Sequence, residues 1–189
     1  MKIETLKLWE DRDDVELTTF LTMPDPFIQN PTPKPAIIVC PGGAYQMCPR
    51  HGNEGDPVAM TFAADGYQAF VLEYSVAGKT SKENTMFPAQ ILDLGKAMLT
   101  IREHAKEWSV DVDKISIIGF SAGAHLCGMY ASTWHEGLLT ETFGVEKEAF
   151  KPLSALLMYG VLDYVIQDEF TAKNQNPMLP DDMNVPVMG

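Results

Sequence analysis

The stretch of chain that most constrains the fold is a short apolar run leading into Gly119-Phe120-Ser121-Ala122-Gly123. Residues 115–118 are mainly β-branched and apolar, as in a buried strand, and the residues that follow the second glycine favour a helix. Glycines on both sides of a serine allow the close backbone contacts of a sharp strand-to-helix turn, which exposes the serine hydroxyl. The sequence therefore predicts a strand, a turn and a helix, with Ser121 as a nucleophile. A serine that merely caps the N-terminus of a helix is the alternative.

Strands and helices alternate along the rest of the chain, and this alternation predicts an α/β fold. Two alternating segments separated by a charged turn predict an antiparallel hairpin at the N-terminus. Later apolar runs predict buried strands, and apolar residues at steps of three and four predict one long helix from residue 88 to residue 108. We expect a single domain over residues 1–189, built on a mostly parallel sheet with helices on both faces. The predicted strands span residues 2–9, 15–23, 36–40, 67–74, 114–118 and 153–159, and the predicted helices begin at residues 56, 88 and 122.

Charge and composition exclude several classes of partner. The chain has 26 acidic and 14 basic residues, and its formal net charge of -12 would repel nucleic acids and anionic membrane surfaces. It begins without the apolar core of a signal peptide and has no apolar run of membrane-spanning length, so we expect a cytoplasmic protein. Cys40, Cys48 and Cys127 do not follow a metal-ligand spacing, and no cofactor is expected.

A second motif, Pro41-Gly42-Gly43-Ala44-Tyr45, follows the predicted buried strand 36–40. Two successive glycines after such a strand can let backbone N–H groups turn outward towards an anion. An ordinary tight turn is the alternative. The motif therefore predicts either an anion-binding loop or a simple connection.

Together with the strand 68–75, these two motifs make the chain resemble the α/β-hydrolase superfamily over residues 36 to 159. The similarity is greatest to the esterase and lipase branch that contains acetyl-xylan-esterase-like and feruloyl-esterase-like enzymes. The resemblance implies ester hydrolysis through an acyl-enzyme on Ser121, and Gly119 and Gly123 as the glycines of the nucleophile elbow. It also implies that the N–H groups of Gly43, Ala44 and Ala122 form the oxyanion hole. The family commonly has glycine where this chain has Ala44.

The catalytic histidine and acid are not evident in the sequence. The fold orders its triad as Ser, Asp or Glu, then His, and only His125 and His135 follow Ser121. His125 lies one turn further along the same helix, so we expect a structural role for it, and His135 is expected in a loop. Asp182 and Asp163 are weak candidates for the acid, because no histidine follows either of them. The catalytic histidine therefore stays unassigned.

The simplest interpretation is that the chain is the N-terminal portion of a longer enzyme. The acid, the histidine and the last strands would then lie beyond Gly189, and residues 161–189 would form a loop, a lid or a tail. Such a chain is expected to have little activity alone, and to self-associate through the exposed edge of its sheet.

The sequence thus predicts a serine esterase that acts on a small-molecule ester, with acetyl esters of sugars as candidate substrates. A non-catalytic binding or regulatory protein on a hydrolase scaffold is one alternative. A peptidase of the same fold is the other.

Overall fold

The computed structural model describes residues 1–23, 27, 32–79 and 87–162. Within these ranges six strands form one sheet in the order β1-β2-β4-β3-β5-β6. Helices α1 and α2 follow β3 and β4, and α3 begins directly after β5. The strands are β1 (Lys2–Lys7), β2 (Glu16–Leu21), β3 (Lys34–Cys40), β4 (Gln68–Glu73), β5 (Val110–Phe120) and β6 (Ala155–Met158). The helices are α1 (Asp56–Ala64), α2 (Ala89–Glu103), α3 (Ala122–Thr133), α4 (Gly137–Phe143) and a 3₁₀ helix, Lys147–Phe150.

The sheet is mixed, as the sequence predicts. β1 and β2 form the N-terminal antiparallel hairpin, and β2 pairs antiparallel with β4. The pairs β4–β3, β3–β5 and β5–β6 are all parallel. The predicted α/β class and the entry through a hairpin are therefore confirmed.

Alternate residues of the central strands belong to two apolar clusters, one on each face of the sheet. On one face, Ile37 and Val39 of β3 pack with Ala59 and Ala63 of α1. On the other face, Ile38 of β3 belongs to the larger cluster formed with α2 and α3. Since β3 is buried on both faces, its continuous apolar sequence is what a central parallel strand requires.

The helix predicted to reach residue 108 ends earlier, at Glu103. His104 caps it, and turns continue to Ser109, which has a φ of 53°. Trp108 still reaches the core, because the turn places its ring against Phe70 and stacks it on His104. The apolar spacing thus continues past the end of the helix, which is why the periodicity did not reveal that end. The short helix α4 and the 3₁₀ helix were not predicted.

β6 is the last strand of the sheet in the described part of the chain. Residues 163–189, with Asp163 and Asp182 among them, lie outside the described residues. None of the described helices is both long enough and apolar enough to cross a membrane.

Candidate active site

Ser121 occupies the junction between β5 and α3. Its φ is 50° and its ψ is -114°, a backbone conformation that residues with a side chain rarely adopt. Its N–H donates to the carbonyl oxygen of Met158 at 3.0 Å, and its own carbonyl accepts from Ala124 and His125. Although Ser121 stands at the N-cap position of α3, its side chain makes no capping hydrogen bond. The residue is half-buried, and its backbone is held by hydrogen bonds to both β6 and α3.

The two glycines that flank Ser121 are in backbone contact with neighbouring segments. A Cβ built on Gly119 would lie 2.1 Å from the carbonyl oxygen of Gly123, and one on Gly123 would lie 2.0 Å from that of Cys40. Atoms that are not bonded to each other do not approach this closely. The Gly-x-Ser-x-Gly spacing therefore allows β5, α3 and the end of β3 to meet at one point.

The segment 41–45, which we call the 41–45 loop, lies directly beside Ser121. A Cβ on Gly42 would be 3.0 Å from the Cβ of Ser121 and 3.0 Å from the carbonyl oxygen of Phe120. The next three residues have consecutive positive φ values, namely 132° at Gly43, 52° at Ala44 and 58° at Tyr45. Ala44 does adopt the left-handed conformation despite its side chain, at a cost of about 1 kcal/mol.

Backbone N–H groups of this region divide into two sets. Those of Gly42 and Ser121 are bonded, to Glu54 and to the carbonyl oxygen of Met158 respectively. In the part of the chain that the structure describes, those of Gly43, Ala44 and Ala122 donate to no protein acceptor. The Ala122 group also belongs to the first turn of α3, where the helix dipole favours a negative charge.

Three further hydrogen bonds hold the 41–45 loop in place. The Tyr74 hydroxyl donates to the carbonyl oxygen of Pro41 at 2.6 Å, and the Ala77 N–H donates to that of Tyr45 at 2.9 Å. The hydroxyl of Tyr45 is 2.8 Å from Nδ1 of His125. These bonds offset the cost of the strained backbone.

His125 is buried beneath the loop, with its Nδ1 engaged by Tyr45. Burial lowers the pKa of its imidazole, so the ring is neutral at physiological pH. His135 is exposed in the turn that follows α3, and its ring contacts that of Trp134.

Asp163 and Asp182, the candidate acids, lie outside the described residues, and the catalytic histidine remains unassigned. Across residues 1–23, 27, 32–79 and 87–162, no three His, Cys, Asp or Glu side chains are grouped so that they could hold a metal ion.

Two residues that the sequence analysis missed complete this region. Glu54 accepts the Gly42 N–H through Oε2 at 2.7 Å, and its Oε1 accepts the hydroxyl of Tyr159. That bond to a carboxylate raises the pKa of Tyr159 to about 12. Glu54 lies in a polar segment and Tyr159 follows a strand 105 positions later, so no local pattern relates them.

The chain is similar to a protein-family model and to several known proteins. The family model BD-FAE matches residues 26–183. Endo-1,4-beta-xylanase B of Butyrivibrio fibrisolvens is 40% identical over 95 residues, which are 50% of this chain and 14% of that protein. The "Probable carboxylic ester hydrolase LipM" of Mycobacterium tuberculosis is 30% identical over 135 residues, or 71% of this chain and 30% of that protein.

A solved structure extends the comparison to the fold. The crystal structure of MGS-M1, an alpha/beta hydrolase enzyme from a Medee basin deep-sea metagenome library, is 35% identical, with a TM-score of 0.61. The match covers 69% of this chain and 51% of MGS-M1. This chain therefore spans less than a third of each of the two relatives and about half of the solved structure.

Proposed function

This chain belongs to the BD-FAE family and has an α/β-hydrolase fold, and we propose that it supplies the nucleophile of a serine esterase. The observation that carries the proposal is the state of Ser121. A serine recruited only to cap a helix would use its side-chain oxygen to bond the first N–H groups of that helix. The Ser121 side chain makes no such bond, and its backbone is held in a strained conformation. Strained serines of this kind are typical of nucleophile elbows.

In the proposed reaction, Oγ of Ser121 attacks the ester carbonyl carbon and a tetrahedral oxyanion forms. The alcohol then leaves with a proton, and water cleaves the acyl-serine to release the acid and restore the hydroxyl. A histidine and an acid from outside residues 1–162 would move these protons.

The N–H groups of Gly43, Ala44 and Ala122 are the proposed donors to the oxyanion. Their support is that all three belong to segments next to Ser121 and have no protein acceptor among the described residues. In serine hydrolases each such donor is worth about 3 kcal/mol of transition-state stabilisation. Since the donors are backbone groups, alanine at position 44 keeps the required N–H.

For the substrate we propose a small carboxylic ester, with acetyl groups on sugars as the candidate class. The ester is supported by the match to LipM, which is named as a probable carboxylic ester hydrolase. The sugar is supported by the match to a xylanase over half of this chain.

The test is Ser121→Ala in the full reading frame that contains these residues, assayed on p-nitrophenyl acetate and on an acetylated xylo-oligosaccharide. We expect kcat/KM to fall by roughly 10⁴-fold or more on both esters, because the acyl-enzyme cannot form. Ser132→Ala is the matched control, since Ser132 is an exposed serine of the same helix and its hydroxyl donates to the carbonyl oxygen of Gly128. Wild-type turnover by Ser121→Ala would overturn the proposal.

A further inference from the structure

We propose that Glu54 is a positioning residue that fixes the 41–45 loop against Ser121. The inference rests on the esterase function proposed above, since it assigns the oxyanion donors to that loop. Glu54 stands outside both sequence motifs, in the segment between the 41–45 loop and α1.

The carboxylate of Glu54 joins two separate parts of the chain. Oε2 accepts the N–H of Gly42, and Oε1 accepts the hydroxyl of Tyr159. A carboxylate suits this position because both of its oxygens are acceptors, and bonds to a charged acceptor are stronger than neutral ones. With a pKa of about 12, the Tyr159 hydroxyl keeps its proton at neutral pH and remains a donor.

Gly42 brings this carboxylate close to the reaction centre. A Cβ at Gly42 would be 2.8 Å from Oε2 of Glu54 and 3.0 Å from the Cβ of Ser121, so the carboxylate and the serine both adjoin this glycine. The bonded N–H of Gly42 immediately precedes the N–H groups of Gly43 and Ala44. Fixing the peptide at Gly42 therefore restricts the positions of the next two peptides, which carry the proposed donors.

The second bond links the loop to the segment that holds the nucleophile. Tyr159 follows Met158, whose carbonyl oxygen accepts the N–H of Ser121. Glu54 thus ties the 41–45 loop to the end of β6, and β6 in turn holds Ser121. Oxyanion donors must be placed within about 0.5 Å of their productive positions, and such a shared anchor provides that precision.

A catalytic base is the competing role for a carboxylate this close to a serine. Both Glu54 oxygens accept hydrogen bonds from other groups, which favours positioning. The positioning role and the catalytic-base role predict different effects of a glutamine at position 54. A glutamine can accept from Gly42 through its oxygen and donate to Tyr159 through its nitrogen, but it cannot take up a proton from Ser121.

The kinetic test compares Glu54→Ala, Glu54→Gln and Tyr159→Phe in the full reading frame, on p-nitrophenyl acetate. We expect Glu54→Ala to lower kcat by roughly 30-fold with KM within about threefold of wild type, as removal of transition-state binding predicts. Glu54→Gln should stay within about fivefold of wild type, and Tyr159→Phe should lie between the two variants. Glu146→Ala, at an exposed glutamate, is the control and should leave kcat unchanged.

Amide hydrogen exchange of the 41–45 loop provides a readout that does not need esterase activity. Glu54→Ala should exchange at Gly42 at least tenfold faster than wild type, and Glu54→Gln should stay near wild type. Unchanged exchange in Glu54→Ala overturns the inference, whereas wild-type turnover by Ser121→Ala overturns only the proposed esterase function.

Equal loss of kcat in Glu54→Ala and Glu54→Gln would also overturn the positioning role, because the carboxylate itself would then be required. If Glu54→Ala does not fold, the Tyr159→Phe variant tests the positioning role instead. A wild-type kcat together with wild-type exchange in Tyr159→Phe would refute the anchor.

Discussion

Gly123 lies where the first turn of α3 meets the end of β3, and the absence of a side chain there allows the two segments to touch. Alanine at this position would place its Cβ 2.0 Å from the carbonyl oxygen of Cys40 and 2.6 Å from that of Pro41. Both obstacles are backbone atoms, which cannot move without displacing the 41–45 loop. The contact between α3 and β3 therefore depends on the absence of a side chain at Gly123.

We expect Gly123→Ala to destabilise the protein by at least about 3 kcal/mol, since it adds steric overlap in a closely packed region. Urea unfolding followed by circular dichroism measures the change. Gly128→Ala is the control on the same helix, because its Cβ would lie 3.4 Å from two leucine side chains, which is ordinary contact. Its better helix propensity should leave stability unchanged or raise it by up to about 1 kcal/mol. Similar stability in both variants would contradict the steric argument.

Local spacing explains which residues of this region could be predicted from the sequence. Ser121 and its two glycines fall within five positions, and their contacts leave a recognisable pattern in the chain. Glu54 is 12 positions from Gly42 and 105 from Tyr159, so its role arises only from the folded arrangement. The same holds for the bond between Tyr45 and His125, which are 80 positions apart.

At the scale of elements, strands were easier to predict than the ends of helices. A strand buried on both faces needs a continuous apolar sequence, and β3 and β4 have one. The end of α2 depends instead on the turn at residues 104–109, whose apolar residues still face the core. Hydrophobic spacing reports burial, and burial continues where the helix stops.

Asp93 of α2 joins three elements through a buried carboxylate. Oδ1 accepts the indole N–H of Trp9 at 2.8 Å, and Oδ2 accepts the N–H and the hydroxyl of Ser75 at 2.8 and 2.6 Å. Burial raises its pKa, while these hydrogen bonds act in the opposite direction. Ser75 follows β4 and Trp9 follows β1, so Asp93 holds the hairpin and the β4 connection against α2.

Asp93→Asn should cost about 2–4 kcal/mol, because an amide has one acceptor oxygen where this structure uses two, and a buried donor is left unpaired. Thermal melting of the variant gives the change in stability. Asp65→Asn, at an exposed aspartate after α1, serves as the control and should melt within about 2 °C of wild type. An Asp93→Asn variant as stable as this control would show that the network adds nothing to the fold.

For the whole molecule, the parallel strands determine where the candidate site can form. The 41–45 loop follows β3, Ser75 follows β4 and Ser121 follows β5, so all three lie at the carboxyl ends of neighbouring parallel strands. Ligands of open α/β sheets bind at that edge. The order of elements therefore predicts a candidate site at this edge of the sheet, with the histidine and acid unassigned.

The edge of the sheet opposite the hairpin, at β6, has an apolar surface. In the described part of the chain β6 pairs only with β5, and several large apolar side chains on or next to β6 are exposed. These are Leu153, Leu156, Leu157, Met158, Tyr159 and Leu162, with exposed fractions from 38% to 65%. An edge strand with such a surface favours pairing with another chain.

We therefore expect the 189-residue chain, expressed alone, to self-associate through β6 and to have marginal stability. Sedimentation velocity over a hundredfold range of concentration should show a sedimentation coefficient that rises with concentration. Leu156→Lys should shift the protein towards monomer, because a charge on an edge strand disfavours pairing. Met60→Lys, at an exposed methionine of α1, is the matched control and should leave association unchanged. A concentration-independent monomer with a sharp transition at high temperature would mean that β6 is adequately covered in this chain. Equal effects of the two lysines would instead place the contact elsewhere.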